Sequence, residues 1–336
     1  MSAAQLPAFV QLLLDPTAYP HPVPAVELVQ THISYVFLAG PQVYKFKKPV
    51  DFGFLDFTTL ERRHHFCQQE LLLNRRLAPS IYQGLVTVTD EGGRLALNGA
   101  GPVVEYGIRM ARMPAAGMMG RLISEGRLGP DDIDRIVATL VPFYAQAAGG
   151  PEIGAFGRAE AVAVNITENF RQTEGFVGSP ALSRDQFDAI VAMSRRVLAD
   201  HERFDRRVAA GRIRDCHGDL YSANICLADQ VYIFDCIEFN ERFRYADVAS
   251  DLAFLAMDLE FHCLTGLAQR LVDRFVKASG DEGLPGMLDF YKCYRAYVRG
   301  KINLFTAHAP EVDAASRQAC QELAGRYFRL AATYAA

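Results

Sequence analysis

The chain has 336 residues, half of them hydrophobic, with a formal charge of −4 and 22% charged residues. That is enough apolar material for one large or two modest cores, which excludes a disordered assembly and makes two lobes the natural expectation. No basic run exceeds Lys45-Phe46-Lys47-Lys48, so a nucleic-acid binder driven by phosphate neutralisation is excluded and a small-molecule substrate is expected.

The cysteines, Cys67, Cys216, Cys226, Cys236, Cys263, Cys293 and Cys320, are odd in number and form no CxxC pair. This argues against a disulfide framework or a structural zinc site and for a reducing compartment. The even spacing of Cys216, Cys226 and Cys236 beside His217 would suit a soft metal, but hard oxygen donors crowd the same stretch, and small buried hydrophobes are the plainer reading. The N-terminus has no basic n-region or long apolar h-region, and no stretch approaches the ~20 apolar residues of a membrane span. A soluble, cytoplasmic protein is expected.

Residues 6–14 predict a short amphipathic helix, ended by Pro16, Pro20, Pro22 and Pro24. β-Type residues then predict strands at 27–31, 34–38 and 42–46. Residues 58–77 fit a helix capped by Thr58 or Thr59, with Phe66, Leu71 and Leu73 among its buried positions. Strands at 81–89 and 94–97, joined by the Asp90-Glu91-Gly92-Gly93 turn, precede one at 103–110. From Met118 the pattern is helical, at 118–126, 131–147, 160–171 and 183–209, and again at 247–263, 264–279, 286–307 and 312–334.

The chemistry is concentrated between Asp215 and Leu255. His217-Gly218-Asp219 is followed by Asn224 and, after the apolar run Val231-Tyr232-Ile233-Phe234, by Asp235. Phosphoryl transfer needs a carboxylate to orient and deprotonate the attacking hydroxyl, plus an amide oxygen and a second carboxylate to hold Mg²⁺ against the ATP phosphates. Asp219, Asn224 and Asp235 fit these three roles. Asp219 and Asn224 share one tight loop, and a strand pair at 224–228 and 230–235 returns the second carboxylate beside it. Asp247 and Asp251 then open an apolar helix, where orphan amides and the dipole favour acids, and one of them is expected to brace the loop. A lone HGD is weak, because Gly-Asp is an ordinary turn and His217 could be a satisfied core histidine; the ordered combination is what carries weight.

HGDLYSAN, the strand ending in Asp235 and DVASDLA together resemble the aminoglycoside phosphotransferase and choline-kinase-like family, whose pattern is HGDxxxxN, an apolar strand ending in Asp, then DPxxDLA. FDCIEFN followed by DVASDLAFLAMDLE is similar to a bacterial subgroup often fused to a C-terminal P-loop domain; GxxxxGK[ST] does not occur in these residues, so that domain is not expected here. The resemblance runs from about residue 26 to residue 255. It implies a two-lobed, protein-kinase-like α+β fold. An N-terminal nucleotide-binding lobe, 1–113, would hold a five-stranded antiparallel sheet and one main helix, and a mainly helical catalytic and substrate lobe, 114–336, would follow, with ATP between them.

Within that frame Asp219 is the base, His217 and Asp251 support the loop, and Asn224 and Asp235 hold Mg²⁺. The family's third-strand V-x-K, which grips the α and β phosphates, is matched by Val43-Tyr44-Lys45; Lys47 shares the strand parity and Lys48 lies at the strand end. Glu70 is the expected helix partner of the lysine, with Glu61 as the alternative. The run from Met110 to Pro114 resembles the inter-lobe hinge, which makes Met110 and Met113 candidates for contact with adenine. The chain departs from kinase-like folds in lacking GxGxxG between the first two strands, so phosphate cover is expected from backbone amides or the Ser34 hydroxyl. Asp51-Phe52-Gly53 spells DFG but lies far ahead of the catalytic loop; a turn is expected there, with Asp235-Cys236-Ile237 as the working counterpart.

The implied activity is transfer of the γ-phosphoryl group of ATP to a hydroxyl of a small polar molecule. Glu238, Glu241, Asp258 and Glu260 would attract a cationic acceptor, but Arg242 and Arg244 are interleaved, so a polyhydroxylated metabolite is expected over an aminoglycoside. Arg295, Arg299 and Lys301 form a basic strip, either anion-binding or a solvated helix face. A catalytically silent nucleotide-binding regulator and a protein-modifying enzyme of the same fold stay open as alternatives.

Overall fold

The structure is a computed structural model that describes residues 6–309 and 312–336. It opens with α1 (Ala8–Leu13), β1 (Val26–Gln30), β2 (Ser34–Ala39) and β3 (Gln42–Lys47), followed by α2 (Leu60–Asn74), β4 (Tyr82–Asp90), β5 (Leu95–Leu97) and β6 (Val103–Ala111). The strands form one antiparallel sheet in the order β1-β2-β3-β6-β4-β5. The resemblance implied five strands and the sheet has six; the sixth is the short edge strand already read at 94–97, which folds back on β4 through a turn in which the Gly93 N–H donates to Asp90 Oδ1 at 2.6 Å.

Alternation along β3 decides what each face of this sheet does. Tyr44 and Phe46 join Tyr35, Phe37, Val86 and Val88 in a core against Val10 and Leu13 of α1. Lys45 and Lys47 take the opposite parity and reach α2 instead. Opposite Phe46, β6 has Gly107, where a Cβ would stand 2.6 Å from the Phe46 ring. The missing side chain is what lets that ring fit. α2 begins at Thr59, whose Oγ accepts the Arg62 N–H, and it buries Cys67, Glu70, Leu71 and Asn74.

The rest of the chain supplies α3 (Met119–Ser124), α4 (Pro130–Gln146), α5 (Pro151–Gly154), α6 (Ala159–Thr173), α7 (Arg184–Leu198), α8 (His201–Ala209), β7 (Ile213–Asp215), β8 (Ile225–Leu227), β9 (Val231–Ile233), β10 (Tyr245–Asp247), α9 (Val248–Phe261), α10 (Thr265–Ser279), α11 (Leu288–His308) and α12 (Ala314–Ala335). The single helix expected over 183–209 is two. Asp200 leaves the helical region and its side chain accepts the Arg203 N–H, which starts α8 afresh after α7, itself opened by a Ser183–Gln186 capping box. The antiparallel pair β7–β10 was not expected; three residues a side carry too little alternation to read.

The described residues fall into two compact units: the chain up to Met118 together with Cys226–Glu241, and Met119–Ile225 together with Arg242–Ala336. In the first, Met118 bridges to Cys226, which joins the β8–β9 hairpin to the unit that holds the sheet. In the second, α9 is central, with every residue except Glu260 buried. A helix apolar nearly all round needs neighbours on all sides, and α10 and α11 pack against it. No helix among the described residues is long and apolar enough to cross a membrane.

Candidate active site

In the sheet-bearing unit, Lys45 and Lys47 share one carboxylate. Lys45 Nζ lies 2.8 Å from Glu70 Oε1 and Lys47 Nζ 2.7 Å from Glu70 Oε2, with the Glu70 side chain 1% exposed. Lys45 also meets Asp235 Oδ1 at 2.6 Å, and Lys47 meets Glu238. Glu61 sits exposed in the first turn of α2, so Glu70 is the glutamate beside the lysines. The lysines differ in access: the Lys45 side chain is 15% exposed beside an Asp235 that is 48% exposed, whereas Lys47 is shut in. Lys48 lies over the Tyr35 ring, 4.9 Å from its centroid.

Burial opposes charge on every member of this cluster, and opposite charge answers it. Burial works to raise the Glu70 carboxyl, but Lys45 and Lys47 overcome it and hold that group at about 2. Burial works to lower both ammonium groups, and the carboxylates of Asp235, Glu70 and Glu238 outweigh it, leaving both above their ordinary range. The Glu238 carboxyl is pushed up by its burial in spite of Lys47. A carboxyl held low stabilises the fold above its ordinary value of 4.5, and that contribution is lost as the pH falls toward about 2. Acid unfolding followed by circular dichroism should therefore show a loss of stability across this window that Glu70→Gln lacks; parallel curves would contradict the clamp.

Lys47→Met leaves the buried carboxylates short of a counter-charge and should cost about 3–5 kcal/mol in urea unfolding. The double variant Lys47→Met/Glu238→Gln should recover part of it. Strictly additive losses would mean that the two side chains are not coupled.

The turn carrying Asp235 is held from α2 as well. The Cys236 N–H donates to Asn74 Oδ1 at 2.8 Å, Asn74 Nδ2 donates to the Glu70 carbonyl at 2.9 Å, and the Asp235 N–H donates to the Tyr82 hydroxyl at 3.2 Å. Asp235 adopts φ 62, a left-handed backbone that is uncommon for a residue with a Cβ, though less so for Asp than for most. Ser34 is fully buried opposite Lys47 in the β2–β3 register, and its Oγ has no hydrogen-bond partner. Met110 sits inside the sheet ladder, paired with Val43 and Tyr82; Met113, past the end of β6, packs half-buried against the same cluster as Met110. Asp51-Phe52-Gly53 is a turn: the Gly53 N–H donates to Asp51 Oδ1 at 2.7 Å, Gly53 has φ 77, and Asp51 bridges to Asp56.

In the helical unit, the loop from Cys216 to Asn224 is pinned by side chains that come from later in the chain. Asp251, fully buried on α9, accepts the His217 N–H at 2.7 Å, the Gly218 N–H at 3.1 Å and the Tyr144 hydroxyl at 3.0 Å. Arg295 of α11 donates to the Gly218 carbonyl at 2.9 Å and lies 3.5 Å from Asp251 Oδ1. Asp258 accepts the Ser222 N–H at 2.9 Å. Within the loop, Gly218 takes φ 87, and buried His217 accepts the Asp219 N–H on Nδ1 at 3.3 Å. Asn224 Nδ2 donates to both the carbonyl and Oδ2 of Asp219, each at 3.0 Å. Of the two helix-opening acids, Asp251 holds the loop. Asp247 instead caps α9 on the Ala249 N–H at 2.9 Å and binds Arg207 through both carboxylate oxygens, at 2.9 and 2.6 Å.

Two further expectations change. Glu238 pairs with Lys47, Asp258 serves Ser222, and Glu260 takes Lys292 at 2.5 Å and the Tyr334 hydroxyl, so three of the four acids expected to draw in a cation are already engaged. The basic strip is not a solvated face: Arg295 is buried on the loop, Arg299 lies over the Tyr221 ring, and Lys301 donates to Asn169 Oδ1 at 2.5 Å and Gln172 Oε1 at 2.7 Å. Burial pulls the Lys301 ammonium down to about 8. All seven cysteines are free thiols, five of them buried. Among the described residues no three His, Cys, Asp or Glu side chains gather to hold a metal. Asp235 offers an accessible carboxylate, and Asn224 uses Nδ2 on Asp219 and keeps Oδ1. Both are hard oxygen donors of the kind Mg²⁺ takes alongside phosphate and water.

No family model matches the chain. An uncharacterized protein of Mycobacterium tuberculosis (strain ATCC 25618 / H37Rv) and one of Mycobacterium bovis (strain ATCC BAA-935 / AF2122/97) are each 34% identical over 307 residues, covering 89% of this chain and 60% of theirs. The chain thus spans 60% of the length of the curated relatives it matches. Among solved structures, the GDP complex of wild-type aminoglycoside 2'-phosphotransferase-IIIa is similar at TM-score 0.53 and 14% identity, over 96% of this chain and 97% of that one. A choline/ethanolamine kinase family protein from Mesorhizobium loti is similar at TM-score 0.52 and 13% identity, over 97% and 98%. At such identities the likeness is one of fold. With its antiparallel sheet and mainly helical remainder, the chain has the protein-kinase-like fold of the aminoglycoside phosphotransferase and choline-kinase-like family.

Proposed function

We propose that the chain is an ATP- and Mg²⁺-dependent phosphotransferase that moves the γ-phosphoryl group to a hydroxyl of a small polar molecule. The observation that carries this reading is the Asp219–Asn224 contact on a loop pinned by Asp251 and Arg295. Phosphoryl transfer is catalysed mainly by positioning and charge stabilisation, and a carboxylate fixed by a neighbouring amide suits a group that must meet one hydroxyl. In the proposed roles Asp219 orients that hydroxyl and takes its proton, while His217 and Asp251 keep the loop in shape. Asp247 acts on the same region by fixing the start of α9. Asn224 and Asp235 offer oxygens to Mg²⁺, and Lys45, held by Glu70, meets the phosphates. Ser34, on the lysine-bearing face of the sheet, is the candidate for phosphate cover, and Met110 and Met113 for contact with adenine. Bound Mg·ATP supplies the phosphoryl group and the divalent charge that neutralises it.

The names of the solved proteins with this fold support the reading: one is an aminoglycoside phosphotransferase in complex with GDP, the other a choline/ethanolamine kinase family protein. The GDP complex makes GTP the donor to test beside ATP. Because Glu238, Asp258 and Glu260 are engaged, a polyhydroxylated metabolite is favoured over a polycationic aminoglycoside as acceptor. The proposed setting is the cytoplasm, where ATP is abundant and thiols stay reduced.

The test is a nucleotide-consumption screen over sugars, aminosugars, amino alcohols, nucleosides and aminoglycosides, with product mass checked for an added phosphate. Turnover of a small hydroxyl compound is expected. Turnover confined to aminoglycosides would contradict the metabolite assignment, Mg·ATP binding without consumption would favour a silent regulator, and phosphate found on protein alone would overturn the small-molecule reading.

A further inference from the structure

Beside the catalytic loop, the helical unit stacks rings and guanidinium groups in a column that none of the roles above uses as a whole. Arg326 lies 4.3 Å from the centroid of Phe261, which stacks on Tyr327 at 3.9 Å and 11°. Arg299 follows, 5.7 Å from Tyr327 and 4.6 Å from Tyr221. Tyr221 stacks on Phe254 at 5.3 Å and 10°, and Arg295 closes the column 4.9 Å from Phe254. The rings come from α9, α12 and the catalytic loop, the cations from α11 and α12. Tyr221 is two residues beyond Asp219, so the middle cation is brought to the proposed base, close enough that the Asp219 charge acts on it.

Aromatic faces attract guanidinium groups but do not neutralise them. Arg295 has Asp251 at 3.5 Å, a carboxylate already spent on the loop amides. Arg299 shares a hydrogen bond with Tyr327, and its buried Nε has no partner. The nearby acids are taken: Asp258 serves Ser222, and Glu260 serves Lys292 and Tyr334. The Asp219 charge is among those that hold the Arg299 guanidinium above its ordinary range. In the proposed reaction the acceptor O–H bond breaks, its proton passes to the Asp219 carboxylate, the acceptor oxygen bonds to the γ-phosphorus, and the bond to ADP breaks.

Resting on the phosphotransferase reading, we propose that Arg299 is an acceptor-binding residue and that the acceptor is a small hydroxyl compound bearing an anionic oxygen group, a carboxylate or a phosphate. Half-buried Arg299, with its guanidinium between two tyrosines and next to the base, binds such a group through charge-assisted hydrogen bonds. It disfavours an ammonium at the same place.

The test uses the full chain with Mg·ATP and acceptors matched in skeleton but not in charge: gluconate, glucose 6-phosphate, glucose and glucosamine, then glycerate, glycerol and ethanolamine. Product mass identifies turnover. An anionic member should exceed its neutral counterpart by about tenfold or more in kcat/KM, with the amine last. Arg299→Gln should raise KM for the anionic acceptor by about tenfold to a hundredfold and leave KM for ATP in place, with partial recovery in Arg299→Lys. Preference for the neutral or amine member overturns the assignment. So does an Arg299→Gln enzyme that loses thermal stability but keeps the parent's ratio of anionic to neutral turnover, since Arg299 is then a packing residue. Those outcomes leave the phosphotransferase reading intact; ATP consumption with no acceptor of any class overturns both.

Discussion

Replacing Asp219 by alanine should lower kcat by about a hundredfold to ten-thousandfold while the protein still folds and binds Mg·ATP. The expectation follows from what holds the loop. Its backbone is fixed by Asp251 on the His217 and Gly218 amides, by Arg295 on the Gly218 carbonyl and by Asp258 on the Ser222 amide, all of them contacts to main-chain groups. Asn224 keeps the Asp219 main-chain carbonyl when the side chain is removed. The lost group is therefore the one proposed to meet the acceptor. Turnover and ATP affinity must be measured separately, by initial rates and by calorimetric titration. A near-normal kcat would remove Asp219 from the role of base, and loss of ATP affinity with normal kcat would move it to the nucleotide.

Asp235→Ala should weaken Mg²⁺-dependent ATP binding by about a hundredfold or more, and Asp51→Ala should not. Both residues are acids near a sheet end, and Asp51 has the more kinase-like spelling, but their settings differ. Asp235 sits in a left-handed turn tied to Asn74 and Tyr82, with its carboxylate on Lys45; Asp51 spends its own on the Gly53 amide of an exposed turn. Lys45 keeps Glu70 when Asp235 is removed, so the variant should fold. Titrating MgCl₂ at fixed ATP separates the two substitutions. Metal dependence lost in Asp51→Ala and kept in Asp235→Ala would reverse the assignment.

What was legible in the sequence was chemistry crowded into one contiguous stretch. His217, Asp219 and Asn224 lie within a single loop, so their order and spacing reported their grouping, and Asp235 follows at the end of the next short strand. The sheet was legible for a similar reason: alternation along β1 to β4 and β6 is local. The partners of these residues were not. Lys47 meets Glu238 across 191 positions, and Arg295 reaches Gly218 across 77, distances over which no periodicity carries information. Charge misled in both directions. Glu238 and Asp258 read as cleft acids and are buried structural partners, while Arg295 and Arg299, which read as either an anion-binding strip or a solvated helix face, turn inward. Only their (i, i+4) spacing, which puts both on one face of α11, hinted that they act together. The split of 183–209 into α7 and α8 was signalled by Asp200, a cap residue hidden inside a continuous amphipathic pattern.

The central claim is that this loop transfers a phosphoryl group to a small hydroxyl compound, and γ-labelled ATP with Mg²⁺ tests it most directly. Incubated with the acceptor panel, the unmodified protein should place the label on a small molecule whose mass has grown by one phosphate, and Asp219→Ala should leave the label on ATP. Equal label transfer by the Asp219→Ala protein, or label recovered only as inorganic phosphate or on protein, would contradict it.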